Sequence, residues 1–365
     1  MDNNSNALLQ DTFVRDQLDD SISMLRFFPS KTENILASGG WDCKLRAWNI
    51  SYQQIQKNGV SLLVTECSSN QIYQNQYQVP ILSVCWLGTT GKLLVGCADG
   101  EFSCIDIQQN QKNTIGKHEL GLKDIVYNSN YNVGFTGGWD GKLNVWDFRS
   151  NNPVLSYQFK NKIYTMSTIG NLLVVGLSER VMAYFNLQKL QNRQFSPEIT
   201  FESHLKYQTR RVCCFTEGNG FAEGSIEGRV AIKYVNLNTQ PVLNDQHCIS
   251  SNEDFAFRCH RNTSVNPPLV YPVNDIAFNP VYGTFATVGG DGSYIFWDKD
   301  AKSRLKQGST LDKAPITACD YSGSGDIFAY AIGYDWSKGA SEYGKYQTKI
   351  GMRFLADPEK KKKLK

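Results

Sequence analysis

Four histidines, at positions 118, 204, 247 and 260, are the side chains best suited to moving protons near neutral pH, and none recurs with a cysteine or carboxylate at a catalytic spacing. Ten cysteines contain no CxxC pair, and several sit in apolar runs such as VCCF with Cys213 and Cys214; that pattern fits reduced, buried thiols better than a zinc site. The glycine-rich stretches GNGFAEG from Gly218 and SGSGDIF from Ser322 lack the spacing that lets backbone amides cradle a phosphate ahead of a helix, and read as hairpin turns. His118 stands a few residues before a strand, where a histidine that hydrogen-bonds within its own sheet is expected. The expectation is a protein without catalysis, metal or cofactor.

Binding chemistry is better represented. Trp41 and Trp139 fall in short turns that normally carry small polar residues, so each indole should be partly exposed, both on one face, as anchors for a partner. The alternative is that each covers the edge of a neighbouring sheet. A basic cluster runs through Lys206, Arg210, Arg211, Arg229, Arg258, Arg261, Lys299, Lys302 and Arg304, with Phe257 and Trp297 interleaved. Guanidinium groups suit phosphates or carboxylates, and aromatic rings offer stacking to unpaired bases or pockets for apolar side chains, so RNA, an acidic peptide, or each in turn could bind. A solvated edge is the bland alternative, and Trp297 also fits a packing role inside its sheet.

These residues are positioned by a repeat. ASGGWDCKLRAWNI (37–50) returns as FTGGWDGKLNVWDF (135–148) and more loosely as TVGGDGSYIFWDKD (287–300), with weaker copies ending at Ile107, Leu187 and Val235. Each reads apolar strand, Gly or Asp turn, apolar strand, and Asp42 and Asp140 should accept local backbone hydrogen bonds in their turns. The endings at Asn49, Asp106 and Asp147 are 57 and 41 residues apart, which brackets the period of about 40–45 of WD repeats once loop insertions are allowed. Upstream lie seven further strand signals: SISMLRFFP, ILSVCWL, LKDIVYN, IYTMSTI, RRVCCFT, VNDIAFNP and PITACDYS. A blade of four strands has two apolar faces and must pack between neighbours, so the chain is expected to be all-β, a seven-bladed β-propeller of WD repeats over residues 19–355. Residues 1–18 should complete the last blade as its outer strand, and 356–365 (ADPEKKKKLK) should be a disordered basic tail. The last repeat expands into a loop around Trp336, a departure that suggests use.

Bulk properties agree. The 365 residues are 41% hydrophobic and 20% charged, rich in aromatics and glycine, which suits short strands and tight turns. A net charge of +3 excludes wholesale wrapping of nucleic acid and leaves any basic surface local. No apolar stretch is long enough to span a membrane, so no membrane insertion is expected. MDNNSNALLQ has no signal-peptide character, and the cytosol or nucleus follows as the expected location.

The segments LKYQTRRV, GSIEGRVAIKYV, FAFRCHR, LVYPVNDIAFNPVYGTFATVGGDG, FWDKDAKSRLK and GYDWSKG resemble the messenger-RNA export factors of the nuclear pore, most densely after His204. A related WD-repeat family acts in the mitotic checkpoint and shares the YQTR, IEGRV and YPVN features; FWDKDAKSRLK and YDWSKG favour the export factors. The resemblance implies a propeller that holds a GLEBS segment of a large phenylalanine-glycine nucleoporin on one face. Trp41 and Trp139 occupy the matching turns, with Arg210 and Arg229 as partners for acidic side chains. It implies a groove for single-stranded RNA or acidic peptides at Arg229, Phe257, Trp297, Lys299, Lys302 and Arg304. It also implies residence in the nucleus and at the nuclear envelope, at the pore complex, with a cytoplasmic share. The checkpoint alternative implies checkpoint kinases and phosphorylated kinetochore motifs as partners. Where the export family carries Cys after YQTR, this chain has Arg211, which would add charge or point outward.

Overall fold

The computed structural model describes residues 11–56, 62–150, 152–237 and 253–363. They form seven four-stranded antiparallel sheets and one two-stranded hairpin, Arg261–Asn262 with Leu269–Val270. Each sheet is a blade whose first strand lies innermost: Ile22–Phe27, Ile81–Trp86, Leu122–Asn128, Ile163–Ile169, Thr209–Cys214, Val273–Phe278 and Ile316–Tyr321 for blades 1 to 7. Inner strands of consecutive blades pack together and the seventh packs on the first, so the ring is closed: a seven-bladed β-propeller.

Burial follows from that stacking. The second strands are buried because a neighbouring blade covers each face, at every residue in Leu172–Leu177 and Gly220–Ser225 and at all but the first in Ile35–Gly40, Lys92–Cys97 and Val133–Gly138. The outer strands, such as Leu155–Gln158 and Phe255–Arg258, alternate half-buried and exposed. Blades meet closely enough that glycine is required on the second strand. A Cβ on Gly39 would lie 2.4 Å from Ile81, and one on Gly137 would lie 2.7 Å from Ile163. In the next turn the Asp42 and Asp140 carboxylates accept the amides of Lys44 and Lys142, at 3.1 and 3.0 Å.

The last blade has strands Ile316–Tyr321, Ile327–Ile332 and Lys349–Phe354 from one end of the chain and Thr12–Phe13 from the other. Thr12 pairs with Met352 and Phe13 with Gly351, while Val14 and Leu18 are buried and the Trp48 indole donates to Asp16 at 2.5 Å. Asp11 accepts from Arg353, Tyr330 and Tyr294 at 2.7, 2.6 and 3.0 Å. Residues 1–10 of the expected closing segment lie outside the described residues.

Two regions differ from expectation. The insertion behind the 57-residue step is not a loop: the outer strands of blade 1, Lys44–Gln56 and Leu62–Gln76, extend as a long hairpin whose Tyr52 packs on Phe354 of blade 7 at 5.0 Å. Residues 356–363, expected as a disordered tail, hold a short helix, Asp357–Lys360, and dock under blades 6 and 7. The reason is Glu359, 1% exposed, whose carboxylate accepts from Arg353 at 2.7 Å and pairs with Lys306 at 3.1 Å; Lys360 adds an ion pair to Asp326 at 2.6 Å. Residues 364 and 365 lie outside the described part.

Candidate functional site

All seven inner strands slip register at the same place. The breaks fall between Ile22 and Met24, Ile81 and Ser83, Leu122 and Asp124, Ile163 and Thr165, Thr209 and Arg211, Val273 and Asp275, and Ile316 and Ala318. A bulge frees one residue from the two-residue alternation and re-aims its side chain. The seven residues so freed are Ser23, Leu82, Lys123, Tyr164, Arg210, Asn274 and Thr317, and all of them line one cavity of about 770 Å³ on the propeller axis.

This cavity gathers the two turn indoles foreseen from sequence. Trp41 is 46% exposed and Trp139 half-buried, and both line the mouth together with Arg210. Lys123, Lys162 and a third indole, Trp336, also line the cavity, as do Asp20, Asp275 and Asp335. Trp336 is 51% exposed and stacks on Tyr343 at 5.4 Å, within the expanded loop of blade 7 that the repeat had marked. Among the described residues Lys123 and Arg210 form no salt bridge and no side-chain hydrogen bond; Asp124, Asp275 and Asp335 act on them at longer range. Lys123 and Tyr164 escaped the sequence reading because a strand read with strict alternation puts them on a blade face, whereas their shared second place in each inner-strand signal was the clue. Arg229 begins the third strand of blade 5 three residues past Ile226, which lines the cavity; it is half-buried, stands outside the lining, and pairs with Glu227 at 3.4 Å.

Directly below the mouth lies Arg211, for which the sequence left added charge or an outward side chain open, and it points inward. It is buried on the axis, ion-paired with Asp275 at 2.9 Å and donating to Asp124 at 3.1 Å. Burial disfavours its charge, but the two carboxylates outweigh that and hold the guanidinium protonated. Asp124 also accepts the Met166 amide of blade 4 at 2.7 Å, and Asp275 the Cys319 amide of blade 7 at 3.0 Å. Similar stitches join the other blades. Ser23 donates to the Ile81 carbonyl, Ile125 to Ser83, Val212 to Thr165 and Phe27 to Asp320. Arg211 therefore crosses from blade 5 to blades 3 and 6 as part of the ring's inner seam.

The expected basic aromatic groove is only partly assembled. At the rim between blades 5 and 6, Phe257 and Trp297 touch with centroids 4.5 Å apart, Arg304 sits across from Trp297, and the exposed Lys302 lies over the Phe255 ring at 4.8 Å. Arg229 does not join them. Val230 is the residue opposite Phe257 and shares its apolar cluster facing blade 6, so by alternation Arg229 points to the other face of blade 5. Lys299 is 4% exposed and already engaged by Asp300 at 2.7 Å and Glu217 at 3.7 Å, over the Phe215 and Tyr234 rings.

His118 and His260 serve their own blades. His118 contacts Asp140 at 3.0 Å and Thr136 at 2.8 Å, and Trp146 donates to the same threonine hydroxyl. His260, Asp291, Thr287 and Trp297 repeat this network in blade 6, so Trp297 works inside its blade as well as at the rim. Burial lowers the His118 pKa, opposed by Asp140. Burial likewise pushes the Cys85 and Cys97 thiols up to about 12, which keeps them protonated. Among the described residues, no group of three or more His, Cys, Asp or Glu is placed to hold a metal ion, and no helix is long and apolar enough to cross a membrane.

Residues 17–49 and 109–147 match the family described as WD domain, G-beta repeat. The chain is 36% identical to protein Rae1 of Drosophila melanogaster over 91% of this chain and 90% of the relative. It is 35% identical to the poly(A)+ RNA export protein of Schizosaccharomyces pombe over 92% and 88%, and 36% identical to the mRNA export factor of Danio rerio over 92% and 86%. Among solved structures, that of U3-55K superposes with a TM-score of 0.74 at 12% identity, covering 94% of this chain and 98% of the other; this likeness concerns the fold alone.

Proposed function

Because the chain belongs to the WD-repeat family of mRNA export factors, we propose that it is a non-catalytic adaptor of the nuclear pore whose axial cavity holds an acidic, GLEBS-type segment of a large phenylalanine-glycine nucleoporin. The observation that carries this reading is the meeting of Trp41, Trp139 and Arg210 at one mouth beside Lys123. Lys123 and Arg210 have no carboxylate within salt-bridge distance among the described residues, so a carboxylate from a partner would complete them without breaking a described bond. The indoles supply broad apolar faces at little entropic cost, the usual composition of an energetic hot spot. Arg229 extends the positive charge at the rim of blade 5.

The rim between blades 5 and 6 is the second surface, for single-stranded RNA or an acidic partner. Phe257 and Trp297 offer ring faces, with Lys302 and Arg304 as phosphate contacts. Such an adaptor would reside at the nuclear envelope and join pore to cargo.

Co-purification of the nucleoporin with wild type and with the Trp41→Ala/Trp139→Ala variant tests the first surface. Capture should fall at least tenfold in the variant, and equal capture removes the indoles from the site.

A further inference from the structure

The docked C-terminal segment, residues 356–363, ends beside the blade 5–6 rim. Its helix is held from below by the buried Glu359 and its bonds to Arg353 and Lys306. Its last described residue is tied to the rim itself. One oxygen of the buried Asp298 accepts the amides of Asp300 and Ala301, which shapes the turn bearing Lys302, and the other accepts the Lys363 amide at 2.9 Å. A single carboxylate thus orders the turn and the tail together, next to Trp297.

The charges are arranged to one effect. Two acidic groups of this corner, Glu217 and Asp300, are occupied: Lys362 reaches Asp300 at 2.5 Å and Glu217 at 3.7 Å, and Lys299 pairs with the same two, while Asp254, next to Phe255, is paired with Lys233 at 2.9 Å. Lys302, Arg304 and Lys363 are exposed and form no salt bridge among the described residues, with Lys302 over the Phe255 ring and Arg304 donating to Gln307 at 2.9 Å, so three cations near the Phe257 and Trp297 rings lack a described carboxylate partner. We infer that the C-terminal lysines are part of the rim surface, forming with Lys302 and Arg304 a ledge for the phosphate backbone of a single-stranded RNA whose bases stack on Phe257 and Trp297. Lys363 supplies a phosphate contact, and Lys362 keeps Glu217 and Asp300 from repelling the strand. This inference rests on the nucleic-acid reading of the rim.

The test is the affinity of the full chain for a single-stranded homopolymer RNA, measured between about 50 and 200 mM salt. Each lost phosphate contact on a single strand flattens the plot of log affinity against log salt by about 0.7. Lys362→Ala/Lys363→Ala should flatten it by at least that much, on every homopolymer alike. Phe257→Ala should instead lower affinity about tenfold with little change in slope. An unchanged slope in the lysine variant, with Phe257→Ala still weakened, overturns the role of the tail while sparing the rim. No measurable binding by wild type overturns both. If polyglutamate of matched charge binds as tightly as RNA and loses as much in the lysine variant, the ledge serves acidic protein segments and the RNA assignment falls.

Discussion

Arg210 and Arg211 are neighbours on one strand and face different fates. The bulge after Thr209 turns Arg210 into the open cavity, where no described carboxylate pairs with it, and sends Arg211 into the axis between Asp124 and Asp275. At the channel core Arg211 and its two carboxylates answer one another across blades 3, 5 and 6, while the mouth one residue away carries charge and indole surface left open. Stability and recognition are separated by a single register slip, and the unpartnered member of such a pair is the one to examine for function.

Four measurements would break or sharpen that contrast. Arg211→Ala strands two buried carboxylates and should cost about 3–5 kcal/mol in urea denaturation; a loss below about 1 kcal/mol would mean that the axis is wetter and less coupled than its distances imply. At the mouth, Trp41→Ala/Trp139→Ala should remove about 2 kcal/mol or more of partner binding with little change in thermal midpoint, and a large fall in midpoint would assign the indoles to blade packing instead. Asp320, which accepts the Phe27 amide across the closing seam, has its carboxyl raised by burial to about 6, against the pull of Arg26. Protonation therefore favours the folded state, and this group's contribution is fully present below pH 4 and lost as pH rises through 6. Asp320→Asn cannot ionise, so relative to wild type it should gain on the order of 1–3 kcal/mol between pH 4 and 7; a difference that stays constant with pH contradicts the shift. Smallest is Arg210→Ala, expected to move stability by no more than about 0.5 kcal/mol while weakening acidic partners in a salt-dependent way.

Much of this architecture was legible in the chain. The GGWD and GGDG turns, the seven inner-strand signals and the apolar runs between them set out the blades, because a repeat announces itself without any knowledge of packing. The paired indoles were legible too, since a large ring in a tight turn has few places to go. What escaped was governed by register. Lys123 and Tyr164 reach the cavity only because the bulge breaks alternation, and Arg229 parts from Phe257 only because Val230 is the residue opposite that ring. The KKKK run reads as solvated in one dimension, while Glu359, the residue that pins it, has its partners Arg353 and Lys306 on strands of two blades. Arg211 looked like one more surface cation, and nothing local marks Asp124 and Asp275, 87 and 64 residues distant, as its company.

Closure of the ring has a temporal side. The hydroxyl of Thr12 bonds the carbonyl of Met352, 340 residues further along, so a strand made among the first must wait for one made among the last. During synthesis six blades can stack in order as they emerge, but the seventh is completed only after Lys349–Phe354 has emerged and Thr12–Phe13 pairs with it. From the moment that late strand is made until the pairing forms, its edge is open to a stranger's strand, and the short reach from Asp11 to Leu18 is what ends the exposure.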